Sequence, residues 1–249
     1  MVRLQRIARK TLSDEVFEQL SAEIMEGRMQ PGVALPPERE LVEMLGVNRG
    51  AIREALKRLA QAGLVEIQQG GGTTVLDYRR NGGLNLLGRL MFEADGSVDF
   101  RVARSVMEMR AALAPDIARL CARRAGPDVI ARLREIVDEM AAAEDDLDRL
   151  QVLSLDFWDQ LTRGSGNIAY ELAFNTLRET YERIRGALLI VMADEVQDFE
   201  AYESIAKAVA RGDDVAAKHV AAALLEHGTH RVMGLIAALE TERQEEEEG

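Results

Sequence analysis

The feature that most constrains the fold is a turn of three glycines joining two short runs of alternating character. The runs cover residues 64–69 and 73–75, and Gly70, Gly71 and Gly72 lie between them. Alternation of apolar and polar residues on both sides of a glycine turn predicts a β-hairpin. The hairpin follows three segments in which apolar residues recur at helical spacing. Three short helices and a hairpin predict a winged helix-turn-helix domain in the first third of the chain.

Residue types that favour helix ends mark the three helical segments. Ser13 is the expected cap of the first helix, Pro37 the expected first residue of the second, and Asn48 the expected cap of the third. Each segment stops at a glycine, which is the residue most common just after a helix. A proline-rich bend over residues 29–37 separates the first two helices.

Three basic residues follow one side of the third helix. Arg49, Arg53 and Lys57 are spaced four apart, beside the apolar face and not on it. Such a helix can lie in the major groove of DNA, where guanidinium groups reach guanine O6 and N7 or the phosphates. Gly50 keeps the start of the helix slim, and Asn48 is expected either to cap the helix or to contact DNA. Solvated surface cations are the alternative interpretation, but the neighbouring turn and hairpin favour DNA binding.

The tip of the hairpin offers a second contact with DNA. It carries Gln69 followed by Gly70, so it is narrow enough to enter the minor groove or to lie against the backbone. Peptide N–H groups and the Gln69 side chain would be the donors. Taken alone, the tip is equally well explained as an ordinary flexible turn.

The remainder of the chain is helical in pattern. Helices are predicted over residues 84–94, 98–125, 127–144, 147–163, 167–192, 197–211 and 213–241. The predicted organisation is a DNA-binding domain over 1–76, a linker over 77–83, an all-α effector-binding and dimerisation domain over 84–241, and an acidic tail over 242–249. The fold class is therefore mainly α, with a C-terminal bundle of six or seven helices.

Charge is unevenly divided along the chain. The formal net charge is −12, but residues 1–80 hold 12 basic and 11 acidic side chains, which leaves −13 for residues 81–249. This division predicts two units with different partners. One cysteine, no secretory-signal pattern and no apolar run long enough for a bilayer predict a cytoplasmic protein that does not contact a membrane. Because neither a Gly-x-Ser-x-Gly motif nor a Walker-type phosphate loop occurs, we expect no enzymatic activity.

The first third of the sequence resembles the GntR-type bacterial regulators. The matching segments are Pro31-Gly-Val-Ala-Leu-Pro-Pro-Glu-Arg-Glu-Leu41, Leu45-Gly-Val-Asn-Arg49, Arg53-Glu-Ala-Leu-Lys-Arg-Leu59 and Gly63-Leu-Val-Glu-Ile-Gln-Gln-Gly-Gly-Gly-Thr73. The resemblance covers about residues 10–76. It implies that Arg39, Arg49, Arg53 and the tip residues Gln69 and Gly70 contact double-stranded DNA.

Residues 84–240 resemble the all-helical effector domain of the FadR subfamily, through Gly83–Leu87, Arg110 and the turn at Gly164–Asn167. Many members of that subfamily bind a divalent metal with one Asp and three His. The aligned positions here are Ser154, Trp158, Tyr202 and Leu224, which are poor ligands or none at all. The three histidines of the chain are His219, His227 and His230, and one straight helix cannot place three ligands around an ion. We therefore expect no metal and no other cofactor.

Without a metal, the effector must be held by side chains, and the resemblance points to Arg110, Trp158 and Tyr202. Bulky apolar side chains at metal-ligand positions are expected of members that bind long-chain acyl-CoA, so acyl-CoA is one expected effector and a small organic acid is the other. Arg110 is expected either to meet an anionic head group or to pair with carboxylates on its own helix. Trp158 is alternatively a plain core residue.

The expected function is a sequence-specific DNA-binding transcriptional regulator whose operator affinity is controlled by a small-molecule effector. Two chains are expected to form a homodimer through their N-terminal domains on a pseudo-palindromic operator, so that two third helices enter successive major grooves. Effector binding is expected to change the relative placement of the two DNA-binding heads. A helical interaction protein that does not bind DNA is the alternative, and it leaves the cationic helix and glycine wing unexplained.

Overall fold

A computed structural model of the 249-residue chain describes residues 11–68, 70–93 and 96–248. The chain divides into two compact units, an N-terminal unit over Met1–Leu86 and a C-terminal unit over Leu87–Gly249. The structure confirms the mainly α fold class, with a winged helix-turn-helix in the first unit and a helical second unit.

The N-terminal unit has the predicted order of elements. Its elements are α1 (Leu12–Met25), α2 (Glu38–Leu45), α3 (Arg49–Gln61), β1 (Val65–Gln68), β2 (Gly72–Val75) and α4 (Tyr78–Asn81). Thr11, and not the expected Ser13, caps α1, because its side chain accepts from the Asp14 amide while the Asp14 carboxylate accepts from the Thr11 amide. Asn48 caps α3 as predicted, by accepting a hydrogen bond of 2.9 Å from the Ala51 amide.

The core of this unit lies between α1 and α3. Both helices turn a buried apolar stripe toward each other, and Leu41 of α2 and Leu64, Val65 and Val75 around the hairpin close the core. The stripes are Val16, Phe17, Leu20 and Ile24 on α1 and Ile52, Ala55, Leu56 and Leu59 on α3. Full burial of each large apolar side chain contributes roughly 1.5–3 kcal/mol, so this packing fixes the orientation of α3.

The proline-rich bend pairs with the wing. β1 and β2 are antiparallel, with Val65 opposite Val75 and Gln68 opposite Gly72. Beyond β2, the Leu35 amide donates to the Thr73 carbonyl at 2.7 Å and the Val75 amide donates to the Val33 carbonyl at 2.9 Å. The bend therefore covers the outer edge of β2 like a third short strand, which satisfies the hydrogen-bonding groups of that edge.

The segment expected to be a linker, residues 77–83, contains the short helix α4. Asp77 caps it by accepting from the Arg79 amide at 3.0 Å. Gly63, with φ 73°, lies so close to α4 that a Cβ atom there would sit 2.6 Å from the Asn81 carbonyl carbon. Glycine at this position therefore permits α4 to pack on the turn between α3 and β1. A 3-10 turn over Leu84–Leu86 ends the unit.

The C-terminal unit contains six helices of twelve residues or more among the described residues. They are α6 (Phe100–Arg124), α7 (Pro127–Ala142), α8 (Leu147–Gly164), α9 (Ile168–Leu188), α11 (Phe199–Ala210) and α12 (Asp214–Glu248). Of two four-residue helices, α5 (Leu87–Leu90) precedes α6 and α10 (Ala193–Val196) lies between α9 and α11. Two ion pairs join residues far apart in sequence, Arg104 to Glu240 at 2.9 Å and Arg123 to Asp214 at 2.5 Å. Because the earlier residue of α6 meets the later residue of α12, the two helices run antiparallel along each other.

Three predicted helices differ from their expected bounds by more than two residues at one end. The helix expected over 167–192 ends at Leu188, and the short helix α10 follows it. The helix expected over 84–94 is reduced to the 3-10 turn and α5, because the chain then turns back through a bridge between Phe92 and Val98. The last helix continues past residue 241 to Glu248, since glutamate is a good helix former. Within the described residues, no helix is long and apolar enough to cross a bilayer.

Candidate DNA-binding surface and effector cavity

The predicted DNA-binding residues that the structure describes lie on exposed parts of α2, α3 and the wing. Gly46, in the left-handed conformation with φ 65°, ends α2 and lets the chain turn within two residues into α3. Arg49, Gly50 and Arg53 are exposed on α3, opposite the side packed on α1. Because the apolar face is fixed against α1, the cationic face is held outward in a defined orientation.

Two of the predicted DNA-contacting arginines are paired with carboxylates. Arg53 Nε donates to Glu38 Oε2 at 2.9 Å across the helix-turn-helix, and Arg39 Nε donates to Glu43 Oε1 at 3.2 Å along α2. All four side chains are well exposed, at 41–80%. Exposed pairs of this kind stabilise a protein by no more than about 1 kcal/mol, so DNA phosphates and bases can displace these carboxylates.

A third arginine of α3 has a structural role. The guanidinium of Arg58 lies 4.5 Å from the centre of the Phe17 ring and pairs with Asp14 at 2.5 Å. It thereby ties α3 to the N-terminal turn of α1. The Thr11 hydrogen bonds, together with Arg58, lower the pKa of Asp14 to about 2.

The wing tip is narrow. Gly70 is exposed, has φ 75° and has open space on the side where a Cβ would project. The Gly71 amide closes the turn by donating to the Gln68 carbonyl at 3.2 Å. Gln69, the other predicted contact at the tip, lies outside the described residues.

An elongated apolar cavity of about 240 Å³ lies inside the C-terminal unit. Its walls come from α6, α8, α9, α10 and α12, together with Met91, Val98 and Met192. On α6 the lining extends from Phe100 to Ile117, and on α9 from Tyr170 to Leu188. At 1.5 Å per residue these stretches span about 25 Å, so the cavity follows the helices lengthwise.

A buried ion pair interrupts the apolar wall. Arg110 of α6 pairs with Glu195 of α10, and not with carboxylates of its own helix. The Glu195 side chain is 1% exposed and that of Arg110 is 22% exposed. Arg110 Nη1 and Glu195 Oε2 have no hydrogen-bond partner among the described residues. Burial raises the pKa of Glu195, and the nearby Arg110 charge offsets only part of this effect.

Of the three expected effector residues, the structure places Arg110 and Trp158 on the cavity wall. Trp158 Nε1 is also buried without a hydrogen-bond partner among the described residues. Tyr202 lies behind the wall, where its hydroxyl is hydrogen-bonded at 2.7 Å to Ser154, which does line the cavity. Phe157 packs edge-on against both Trp158 and Tyr202, so the three aromatic rings form one cluster.

The comparisons with known proteins match both the N-terminal helix-turn-helix unit and the C-terminal helical unit. Residues 12–75 match the model of bacterial regulatory proteins of the gntR family, and residues 105–227 match the FCD domain. The chain is 40% identical over 235 residues to HTH-type transcriptional regulator Mce2R of Mycobacterium tuberculosis, covering 94% of this chain and 97% of that one. This chain belongs to the GntR family.

This GntR-family member is a DNA-binding transcriptional regulator with an effector-binding domain, and it is not an enzyme. The Fatty acid metabolism regulator protein of Serratia proteamaculans is 32% identical to it over 167 residues, which are 67% of this chain and 68% of that protein. A solved structure described as "Lar controls the expression of the Listeria monocytogenes agr system and mediates virulence" has a TM-score of 0.52 at 18% identity, covering 92% of this chain and 100% of that one. That likeness shows the fold alone.

The four positions aligned with metal ligands are all buried in the core of the effector domain. They are Ser154, Trp158, Tyr202 and Leu224. The three histidines are exposed on α12. Among the residues that the structure describes, no group of three or more His, Cys, Asp and Glu side chains is placed to hold a metal ion. In this regulator the Ser154–Tyr202 hydrogen bond and the aromatic cluster fill that part of the bundle.

Sequence reasoning missed Glu195. It lies in a largely apolar stretch of the effector domain, Ile190–Val196, but the neighbouring carboxylate Asp194 in that stretch is exposed, so the local sequence does not mark Glu195 as the buried one. The partner of that charge is on α6, 85 residues away in sequence, so the pair itself could not be read from local spacing.

Proposed function

We propose that this regulator binds a compound with a long acyl chain in the cavity, and that occupancy of the cavity sets its affinity for operator DNA. The observation that carries the proposal is the elongated, mostly apolar cavity along α6 and α9. Its volume of about 240 Å³ is just below the range of about 300–1,000 Å³ that is usual for ligand sites, which suits one narrow chain.

Chain length should dominate the affinity. Each buried methylene contributes about 0.8 kcal/mol, which corresponds to roughly a fourfold change in the dissociation constant. A small organic acid gains little from such a cavity, so a dependence on chain length separates the two expected effector classes. The printed name of the Serratia relative, a fatty acid metabolism regulator, also supports an acyl effector.

On DNA, we propose a homodimer bound to a pseudo-palindrome in the cytoplasm. Arg49 and Arg53 on α3 would address base edges in the major groove, with Asn48 and Gly50 at the slim start of that helix. Arg39 would contact a phosphate, and Gln69 and Gly70 would reach the minor groove. The effector acts by binding one arrangement of the dimer better than another.

The test begins with selection of an operator from random duplexes, followed by measurement of its binding by fluorescence anisotropy. Free acids and acyl-CoA thioesters of increasing chain length are then added, with short organic acids as controls. We expect operator affinity to change with the long-chain compounds, and the effective concentration to fall with each added methylene. If no acyl compound changes an intact operator complex while a short acid does, the cavity does not select an acyl chain. Native mass spectrometry of the purified protein adds a direct search for a retained acyl species.

A further inference from the structure

The cavity that contains the buried pair Arg110–Glu195 holds both hydrogen-bond donors and a hydrogen-bond acceptor that lack partners among the described residues. Arg110 Nη1 and Trp158 Nε1 are donors without hydrogen-bond partners among the described residues, and Glu195 Oε2 is an acceptor that also has no partner among them. All three residues line the cavity along α6 and α9. Buried polar atoms are usually hydrogen-bonded, so this set points to a ligand that supplies both an acceptor and a donor.

We infer that the head group of the effector is a free carboxyl group bound between Arg110 and Glu195, and that one proton is taken up on binding. This inference rests on the proposed function, since it names the head group of the same long-chain ligand. A protonated carboxyl group has a carbonyl oxygen that accepts from Arg110 and a hydroxyl that donates to Glu195. A thioester has no donor and would leave the Glu195 oxygen unpaired.

The charge balance of the site requires the proton. Arg110 and Glu195 together are neutral, and a free fatty acid is an anion near pH 7. Two buried carboxylates beside one guanidinium repel each other, so one of them must be protonated, as in paired-carboxylate sites elsewhere. The proton comes from solvent and is shared between the carboxyl of the ligand and that of Glu195, while Arg110 keeps its charge.

The other groups that the structure describes around Glu195 do not remove this requirement. Arg178, a second cation on the cavity wall, pairs with Asp159 and Glu182, and from α8 the lining residues Ser154 and Trp158 carry no charge. Tyr181 faces it from α9 and Tyr202 faces it from α11, and burial raises the pKa of both hydroxyls, so both stay neutral. On α12, the residue that lies against the Glu195 carboxylate is Gly228, which has no side chain to ionise. Arg110 on α6 is therefore the positive charge that pairs with Glu195 in the cavity.

The experiment compares three ligands of one chain length: dodecanoic acid, dodecanol and dodecanoyl-CoA. Binding is followed by the fluorescence of Trp158, the one tryptophan of the chain, and protons are counted by calorimetry in buffers of different ionisation enthalpy. For the acid we expect uptake of about one proton and an affinity that falls about tenfold per pH unit between about pH 6 and pH 8. Dodecanol should bind with no pH dependence, and dodecanoyl-CoA more weakly than the acid.

The variant Glu195→Gln removes the competing carboxylate and keeps the shape of the side chain. We expect it to bind dodecanoate anion without proton uptake and more tightly than the wild type at about pH 8. Asp194→Asn is the matched control, because Asp194 is the neighbouring carboxylate of α10 and pairs with Arg231 on the surface. It should keep the wild-type pH dependence. Circular dichroism of both variants reports whether they fold.

The wild-type measurement is decisive even if Glu195→Gln does not fold. Binding of the acid with no proton uptake, or tighter binding of dodecanoyl-CoA than of the acid, overturns the carboxyl assignment and leaves the acyl-effector proposal standing. Binding of none of the three ligands overturns the acyl-effector proposal itself.

Discussion

Glu38, at the first residue of α2, accepts a hydrogen bond of 2.9 Å from Nε of Arg53, in the second turn of α3. The pair joins the two helices of the helix-turn-helix on the side that the structure exposes. Glu38 thus orients a cation of α3 in the free protein, and in the proposed complex DNA would replace or share that contact.

Arg49→Ala and Arg53→Ala should each weaken operator binding. Loss of a base-contacting arginine costs about 1–3 kcal/mol of operator affinity, whereas loss of a phosphate-contacting arginine lowers the salt dependence of binding by about one unit of slope. Anisotropy titrations at several salt concentrations distinguish the two roles. Arg28→Ala is the control, because Arg28 is paired with Glu23 and Glu26 beyond the end of α1. Unchanged operator affinity in both α3 variants would show that α3 does not address DNA.

Glu38→Gln should make DNA binding stronger but less selective. Loss of an exposed carboxylate beside the phosphates is expected to raise the affinity for a scrambled duplex roughly 1.5- to 5-fold, since an exposed pair is worth about 0.2–1 kcal/mol. The affinity for the selected operator should rise less, because Arg53 is no longer oriented. Glu23→Gln, which releases Arg28 instead, serves as the charge-matched control. An equal gain on both duplexes would mean that Glu38 acts by charge alone.

Asp14→Asn should lower the stability of the N-terminal domain in a pH-dependent way. The folded-state pKa of Asp14 is about 2, below the ordinary value of 3.8, because of the Thr11 hydrogen bonds and then Arg58. A lowered pKa stabilises the folded state above the ordinary value, and this contribution is lost as the pH falls through the folded value. The midpoint temperature of thermal unfolding should therefore be higher for the wild type than for the variant at neutral pH, and the two temperatures should converge as the pH falls from about 4 to about 2. A gap at pH 2 as large as that at neutral pH would assign the effect to shape and not to charge.

Two glycines of α12 should respond oppositely to alanine. At Gly228 an added Cβ would overlap the Glu195 carboxylate and lie 2.9 Å from its Cδ, whereas at Gly234 nothing lies within 4 Å. Gly228→Ala should cost about 1–3 kcal/mol by overpacking. Gly234→Ala should stabilise the helix by about 0.5–1 kcal/mol. Denaturant unfolding of both variants measures the difference, and equal stabilities would contradict the close approach of α12 to Glu195.

The sequence predicted the N-terminal domain in detail because its signals are local. Asn48 caps α3 and glycines end the helices, and the alternating runs around Gly70–Gly72 form the hairpin. The cap of α1 was misplaced by two residues, since Thr11 and Ser13 are chemically alike and only the reciprocal bond with Asp14 distinguishes them.

The cavity proposed to bind the effector was less predictable because it depends on contacts between distant helices. Arg110 and Trp158 were expected at the effector site, and both line the cavity, but Glu195 was not foreseen. Helical periodicity identifies a buried face without identifying the helix it meets. Tyr202 lies behind Ser154, which lines the cavity. Spacing along one helix does not show which side chain of a neighbouring helix will lie in front of another.

The pairing of Val33 and Leu35 with β2 limits how this regulator can acquire a new binding sequence. An added or deleted residue in that bend would slide the backbone pairing by one position, and so move both the wing and the start of α2. Retargeting the protein, in evolution or by design, should therefore proceed by exchanging side chains on the outward side of α3, with the length of the bend kept constant.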